Sequence, residues 1–284
     1  MEKVKLALPK GRLYDEIVKL LDEAGWELSK NGRSYRPIIN DVELEVKILK
    51  PQNIPKLVEL GSQDIAFTGY DWIIEQNADV TELLDLGFNS VRLVAATPKG
   101  LDMNQFKKKQ IRVASEYENI SKKYLEKKGF QYVFIKSFGA TEAFVPEDAD
   151  MLIDNTSTGE TLKNNNLEIC DTILTSSTKC IANKEALNDK EKGKKIRNIA
   201  MVLQSVIEGR RRLLIEMNIS EEKLDTLIPS LPCMKSPTIA KLYGGEGYAV
   251  KIAVPKEKIS SLIPILKEKG ATDIIVMNLR KVVA

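Results

Sequence analysis

Short apolar runs alternate with amphipathic helical stretches through the first half of the chain, and this alternation limits the fold more than any other feature. Lys3 to Leu8 reads as a strand. Leu13 to Ala24 carries Leu13, Ile17, Leu20, Leu21 and Ala24 at helical spacing and ends at Gly25. Val42 to Leu49 alternates apolar and charged residues as a half-exposed strand does. Pro51 to Leu60 then reads as a helix, Asp64 to Thr68 as a buried strand, and Gly69-Tyr70-Asp71 as the opening of another helix. A strand at Val91 to Ala96 starts a second series. It has strands at Ile111–Ala114, Tyr132–Ile135 and Met151–Ile153, with helices at Asn119–Lys128 and Ala140–Phe144 between them. Strands separated by helices demand parallel pairing, so the fold class is α/β. The chain is expected to cross between two lobes near residues 91–97 and 174–182. A ligand would then sit in the cleft between the lobes, at the carboxyl ends of the strands.

The last stretch is organised differently. Lys184 to Lys195 is polar and lysine-rich, and Ile196 to Arg210 resumes helical spacing. Strand signals at Arg211–Met217, Thr238–Tyr243, Tyr248–Val254 and Asp273–Leu279 then enclose helical ones at Glu221–Leu227 and Lys258–Lys269. That order is βαββαβ, a ferredoxin-like arrangement. The 284 residues suffice for two domains or three small ones.

The net charge of +3 is too small to suggest nucleic acid. The basic run Gln105-Phe106-Lys107-Lys108-Lys109-Gln110 reads as a solvated loop. No segment approaches the length of a membrane span, and the N-terminus runs straight into a strand, so a cytoplasmic location is expected. Cys170, Cys180 and Cys233 lack metal-ligand spacing and read as ordinary thiols. The chain contains no histidine. Catalysis must therefore use carboxylates, lysine, arginine, hydroxyls, backbone dipoles or a hard metal ion.

Residues 149–162 carry the densest chemical signal. The run Met151–Ile153 is expected to stop at Asp154. Asn155, Thr156, Ser157, Thr158 and Gly159 follow, and a short helix can start at Glu160 with Thr161 in its first turn. Backbone amides and hydroxyls gathered there suit a phosphate, and Gly159 lets backbone approach it. Asp154 suits sugar hydroxyls instead. Together they suggest a 5-phosphorylated ribose; the same residues also suit a capped turn with no ligand. Lys10 and Arg12 flank Gly11 in another strand-to-helix turn, where two cations suit a polyphosphate.

Several segments resemble the ATP phosphoribosyltransferase family, and the likeness runs the length of the chain. Leu8-Pro9-Lys10-Gly11-Arg12-Leu13 matches the family's N-terminal turn. Asp64 to Asp71 is similar to its Asp-strand-Gly-x-Asp segment. Arg112-Val113-Ala114-Ser115-Glu116-Tyr117 matches a further motif, and Asp154 to Leu162 matches its phosphoribosyl pyrophosphate loop. Lys235-Ser236-Pro237-Thr238-Ile239 falls in what looks like the regulatory domain of the long form.

The resemblance implies a two-lobed, periplasmic-binding-protein-like catalytic core followed by the ferredoxin-like domain. Its expected parts are lobe I at 1–92 with 181–208, lobe II at 93–180, and a histidine-binding regulatory domain at 209–284. The reaction it implies is attack of adenine N1 of ATP on the anomeric carbon of 5-phosphoribosyl pyrophosphate, with inversion and loss of pyrophosphate, as the first step of histidine biosynthesis.

By the same resemblance Asp154, Glu142 and Glu116 are the catalytic carboxylates. Asp154, Asn155, Thr156, Ser157, Thr158, Gly159 and Thr161 hold phosphoribosyl pyrophosphate. Lys10, Gly11, Arg12, Lys50, Gly69, Asp71, Ser115, Glu116 and Tyr117 hold ATP. The resemblance gives the last domain histidine as inhibitor, and Thr238, after Pro237 near a strand start, is the expected contact, though the same residue also suits an ordinary β-strand. Mg²⁺ is expected mainly on the substrate pyrophosphate, with no dedicated protein ligands. A homo-oligomer, from dimer to hexamer, is implied. One departure stands out. The family often carries Arg-Pro-x-Asp before its second helix, where this chain has Lys50-Pro51-Gln52-Asn53. Lysine keeps the charge without the bidentate fork, and Asn53 is assigned no role. The competing readings are a two-lobed cytoplasmic binding protein and an inactive partner subunit.

Overall fold

The computed structural model describes residues 2–29, 34–101, 103–107, 109–234 and 236–283. Lys108 and Lys235, which belong to segments read above, lie outside the described residues. The chain divides into two compact units, residues 1–19 with 26–197 and residues 20–25 with 198–284.

The first unit contains two five-stranded sheets. In chain order it begins with β1 (Val4–Pro9), α1 (Tyr14–Ala24), β2 (Leu28–Ser29), β3 (Ile38–Ile39), β4 (Leu44–Leu49), α2 (Ile54–Glu59) and β5 (Ile65–Gly69). Next come α3 (Tyr70–Gln76), β6 (Thr81–Asp85), β7 (Val91–Pro98), α4 (Met103–Phe106), β8 (Ile111–Ser115), α5 (Glu118–Lys128) and β9 (Tyr132–Lys136). It continues through β10 (Met151–Thr156), α6 (Glu160–Asn164), β11 (Leu167–Ser176), β12 (Thr178–Ala182), α7 (Lys184–Asn188) and the start of α8 (Lys190–Arg211). The first sheet has the order β4-β1-β5-β12-β6, and the second β11-β7-β10-β8-β9. β1 pairs in parallel with β4 and β5, and β8 with β9 and β10, as the strand–helix alternation requires. Strands β12 and β7 add in antiparallel fashion, so each lobe ends in a mixed sheet.

Alternation along the second sheet feeds two cores. Leu93, Ala95, Val113, Met151 and Ile153 face one helical layer, while Val94, Ala96, Ala114 and Leu152 face the other. A sheet covered on both faces needs strands that are apolar throughout, which is why these runs stand out in the sequence. The chain passes between the sheets after β6 and again at Ser177, between β11 and β12.

The second unit holds β13 (Arg212–Ile219), α9 (Glu221–Leu227), β14 (Thr238–Lys241), β15 (Tyr248–Pro255), α10 (Ile259–Glu268) and β16 (Thr272–Asn278). Its sheet order, β14-β15-β13-β16, is that of a ferredoxin-like fold. Leu213, Ile215, Met217 and Ile219 alternate inward from β13 onto Val250, Ile252, Leu262 and Leu266.

Four local expectations are corrected. Strand β10 does not stop before Asp154. Its ladder with β7 continues through Asp154↔Val94, Asn155↔Leu93 and Thr156↔Arg92. The segment after Ala140 is a 3₁₀ turn, Thr141–Phe144, and not an α-helix. The lysine-rich stretch 184–195 is helical. Asn183 accepts the Ala186 N–H at 2.8 Å, and Asp189 accepts those of Glu191 and Lys192 at 3.0 and 2.8 Å, so two helix starts are capped. Two of its lysines are neutralised locally, Lys195 by Asp41 at 2.7 Å and Lys192 by Asp64 at 3.4 Å. The run 105–110 is not simply solvated, because Phe106 is buried in the second lobe's core.

Candidate active site

The turn between β5 and α3 brings the two lobes together. Gly69 is the last residue of β5, and Asp71 lies in the first turn of α3. The Asp71 carboxylate is 5% exposed and both of its oxygens are engaged. Ser176 Oγ donates to Oδ1 at 2.7 Å, and Tyr117 Oη donates to Oδ2 at 2.6 Å. Ser176 Oγ also accepts the Asp71 backbone N–H at 3.0 Å. Asp71 belongs to the first lobe's helix, whereas Ser176 ends β11 and Tyr117 follows β8, both strands of the second sheet.

Helix α3 reinforces this junction. Glu75 accepts the N–H groups of Asn119 and Ile120, each at 3.0 Å, and so caps α5 across the lobes. A buried carboxylate is tolerable there because it meets unpaired amides at the positive end of a helix. Trp72 stacks on Tyr117 with ring centroids 4.5 Å apart and an interplanar angle of 23°, a favourable offset geometry.

A cavity of about 130 Å³ opens beside this junction. Lys10, Arg12, Gly69, Asp71 and Tyr117 line it, and so does Asn155. Five of the residues expected to hold ATP are thus brought to one place. Gly11, Lys50, Ser115 and Glu116 are not among its lining residues. Gly11 takes φ +93° and turns the chain between the two cations. The Ser115 hydroxyl is buried and accepts the Tyr117 N–H at 2.8 Å, so it shapes the turn. Lys10 Nζ donates to Tyr35 Oη at 3.2 Å and lies 5.3 Å from the centre of its ring.

Asp154 lies beyond Tyr117, one residue before Asn155. Its carboxyl is pushed up to about 6, first by burial and then by the carboxylates of Glu142 and Glu116. The Asn155 backbone N–H and the Thr141 hydroxyl oppose that rise. The three expected catalytic carboxylates therefore share one electrostatic neighbourhood. Ser137 and Thr141 tie their hydroxyls together at 2.9 Å, and the Ser137 N–H donates to Ser115 O at 3.0 Å, fixing the Glu142 turn against the Glu116 turn.

The loop after β10 is partly self-satisfied. Thr156 Oγ1 accepts the Gly159 N–H at 2.9 Å, and Thr158 Oγ1 accepts the Glu160 N–H at 3.3 Å. Two of the amides expected to be free are therefore occupied. The Ser157 and Thr158 amides have no backbone partner among the described residues. Gly159 takes φ +82°. Helix α6 has five residues and adds little dipole, so a phosphate at this loop would rest on amides and the exposed Ser157, Thr158 and Thr161.

Sequence reasoning missed Trp72, Ser176, Ser177 and Thr178, which also line the cavity. They lie on a helix face and at a lobe crossing, and carry no local signature. Thr238 is exposed on the edge strand β14, opposite Lys251 in register. Among the described residues no helix is long and apolar enough to cross a membrane.

Comparison with known proteins agrees along the whole chain. Residues 50–205 match the family described as HisG: ATP phosphoribosyltransferase, and residues 209–281 match HisG, C-terminal domain. The chain is 40% identical to an ATP phosphoribosyltransferase of Pelotomaculum thermopropionicum, and the likeness covers 99% of each chain. It is 37% identical to one of Desulforudis audaxviator, again over 99% of each. Among solved structures, the ATP phosphoribosyl transferase (HisG:HisZ) complex from Thermotoga maritima matches with a TM-score of 0.66 and 30% identity, covering 72% of this chain and 98% of that one.

Proposed function

The chain belongs to the ATP phosphoribosyltransferase family, and from that premise we propose how its cleft performs the transfer. The convergence of Asp154, Glu116 and Glu142 beside a hydroxyl-rich loop carries the reading. The amides and hydroxyls of Thr156 to Thr161 hold the 5-phosphate of phosphoribosyl pyrophosphate, with Asn155 at the base of the loop. Asp154 accepts the ribose hydroxyls. As pyrophosphate departs, the ring gains positive character, which an ionised Asp154 stabilises. Glu116 or Glu142 takes the adenine amino group or a ribose hydroxyl.

Lys10 and Arg12 attract the polyphosphate of ATP, and Lys50 adds charge from the next strand-to-helix turn. Most of the rate enhancement then comes from placing adenine N1 in line with the anomeric carbon. Mg²⁺ would be held mainly by the substrate pyrophosphate, and when bound there it would supply charge neutralisation for the leaving group.

For residues 209–284 we propose a regulatory module that binds histidine, with Thr238 among its contacts. The active protein is proposed to be a homo-oligomer. Inhibition requires histidine to favour one of two states, so added L-histidine should slow turnover from a site separate from the cleft.

The division of labour within the cleft is testable by pyrophosphate release. Arg12→Ala should raise the KM for ATP about tenfold and leave the KM for phosphoribosyl pyrophosphate within about twofold, since it removes one charge-assisted contact. Thr161→Val should do the converse. If both variants raise both constants equally, the assignment of the two substrates to the two turns is wrong.

A further inference from the structure

We propose that Ser176, Asp71, Tyr117 and Asn155 form a positioning chain that holds the Asp154 carboxylate from the opposite lobe. Asp71 and Tyr117 then serve the reaction through this chain and not by touching ATP. The inference rests on the transferase reading above and deepens it.

Burial argues against direct contact. Tyr117 has 0% exposure, Ser176 2% and Asp71 5%, so although they border the cavity little of each is open to a ligand, and both hydroxyl protons and both Asp71 oxygens are already engaged. The direction of every bond follows from chemistry. A carboxylate only accepts, so Ser176 and Tyr117 both spend their single protons on Asp71. The phenol oxygen is left with lone pairs alone. Asn155 must meet it with its amide nitrogen, and Nδ2 donates to Tyr117 Oη at 2.9 Å. That choice fixes the orientation of the Asn155 side chain. The same nitrogen lies 3.4 Å from Asp154 Oδ1, and the Asn155 backbone N–H donates to that oxygen at 2.6 Å. One face of the Asp154 carboxylate is therefore defined by a residue whose orientation is set from α3 of the first lobe.

The arrangement has a functional consequence. Separation of the lobes would withdraw Asp71, free the phenol proton, and release Asn155 and Asp154 together. Closure over both substrates would restore them. The reacting carboxylate is thus organised only when the lobe carrying Lys10 and Arg12 is in place.

The test compares Tyr117→Phe, Asn155→Ala and the double variant, with thermal denaturation as a check on folding. Each single change should lower kcat about 10- to 100-fold with both KM values within about threefold, the pattern of a misplaced catalytic group. The double variant should be no worse than the poorer single by more than about threefold, since links of one chain are lost together. Three results overturn the proposal: kcat within twofold of wild type, losses that multiply, or a raised KM for ATP with kcat intact. Should Tyr117→Phe not fold, Asn155→Ala decides alone.

A second readout needs no turnover and so separates this proposal from the transferase reading. The pH dependence of the melting temperature that Asp154→Asn removes reports Asp154 ionisation. Its surroundings are Glu116, Glu142, Tyr117 and, behind the phenol, Asp71; Lys136 Nζ is occupied by Glu116 O at 2.9 Å. Asn155→Ala keeps the backbone N–H at 2.6 Å but removes the Nδ2 donor at 3.4 Å and the link to Tyr117, so the midpoint should move modestly upward. A site that was merely loosened would admit water and move it downward, and that result would overturn the proposal.

Discussion

Asp154→Asn should abolish transfer and at the same time stabilise the protein at pH 8. Loss of the charge that balances the developing positive ring is expected to lower kcat by about 10³-fold or more. The stability effect has the opposite sign because the native state holds this carboxyl at about 6, above its ordinary value of 3.8. Burial disfavours the ionised form, and Glu142 and Glu116 add repulsion. A raised acid means that the folded protein binds a proton the unfolded chain has already lost. Stability therefore falls as pH rises from about 4 to about 6, and the deficit is fully present above that window. At about 1.4 kcal/mol per pH unit, its ceiling is about 3 kcal/mol. Partial exposure of the group brings the expected gain to about 1–2 kcal/mol. Calorimetry should show the variant melting several degrees higher at pH 8 and close to wild type at pH 4. A variant less stable than wild type at pH 8 would mean that Asp154 is a net stabilising group.

Gly69→Ala should be the most damaging single methyl addition near the site. A Cβ at position 69 would lie 2.2 Å from Asp71 Oδ1 and 3.3 Å from Asp71 Cγ. Asp71 has nowhere to retreat, since Ser176 and Tyr117 hold its two oxygens and both are buried. The overlap costs about 1–3 kcal/mol as overpacking. Displacement of the carboxylate leaves two buried hydroxyls unpaired at about 1 kcal/mol or more each. We expect an unfolding free energy lower by about 2–4 kcal/mol, read from denaturant midpoints, and a kcat reduced at least as far as by Tyr117→Phe. Gly100→Ala is the control. Gly100 has φ +84° with open space around it, so alanine there costs about 1 kcal/mol of backbone strain and should leave turnover unchanged. Equal effects at the two positions would show that the Gly69 contact is not special.

These two positions also show what the sequence reveals and what it hides. Buried parallel strands such as Ile65–Gly69 and Ile111–Ser115 are legible because both faces are covered and, Arg112 apart, the residues are buried and mostly apolar. Strand β11 is not, because Leu167–Ser176 mixes Glu168, Cys170, Asp171 and Thr172 along a sheet edge with two register shifts. Strand β6 has only half-buried and exposed residues and shows no clear periodicity. The hydroxyl-rich loop is legible from composition, yet the use of Thr156 and Thr158 to tie their own loop is a matter of geometry. Lys10 and Arg12, two cations around a glycine turn, are visible in the sequence, and the structure places both on the cavity. Ser176, 105 residues from Asp71 along the chain, announces nothing. Long-range partners of this kind arise when two lobes meet, and no local pattern encodes them.

The proposed mechanism is a direct displacement, in which Asp154 would stabilise charge and not itself attack the ribose. Rapid mixing of the enzyme with phosphoribosyl pyrophosphate and Mg²⁺, with pyrophosphate followed in the first turnover, separates these roles most directly. Without ATP no pyrophosphate should appear; on addition of ATP, pyrophosphate and phosphoribosyl-ATP should form together, one for one. A burst of pyrophosphate equal to the enzyme concentration in the absence of ATP would mean a covalent ribosyl intermediate and would contradict the account.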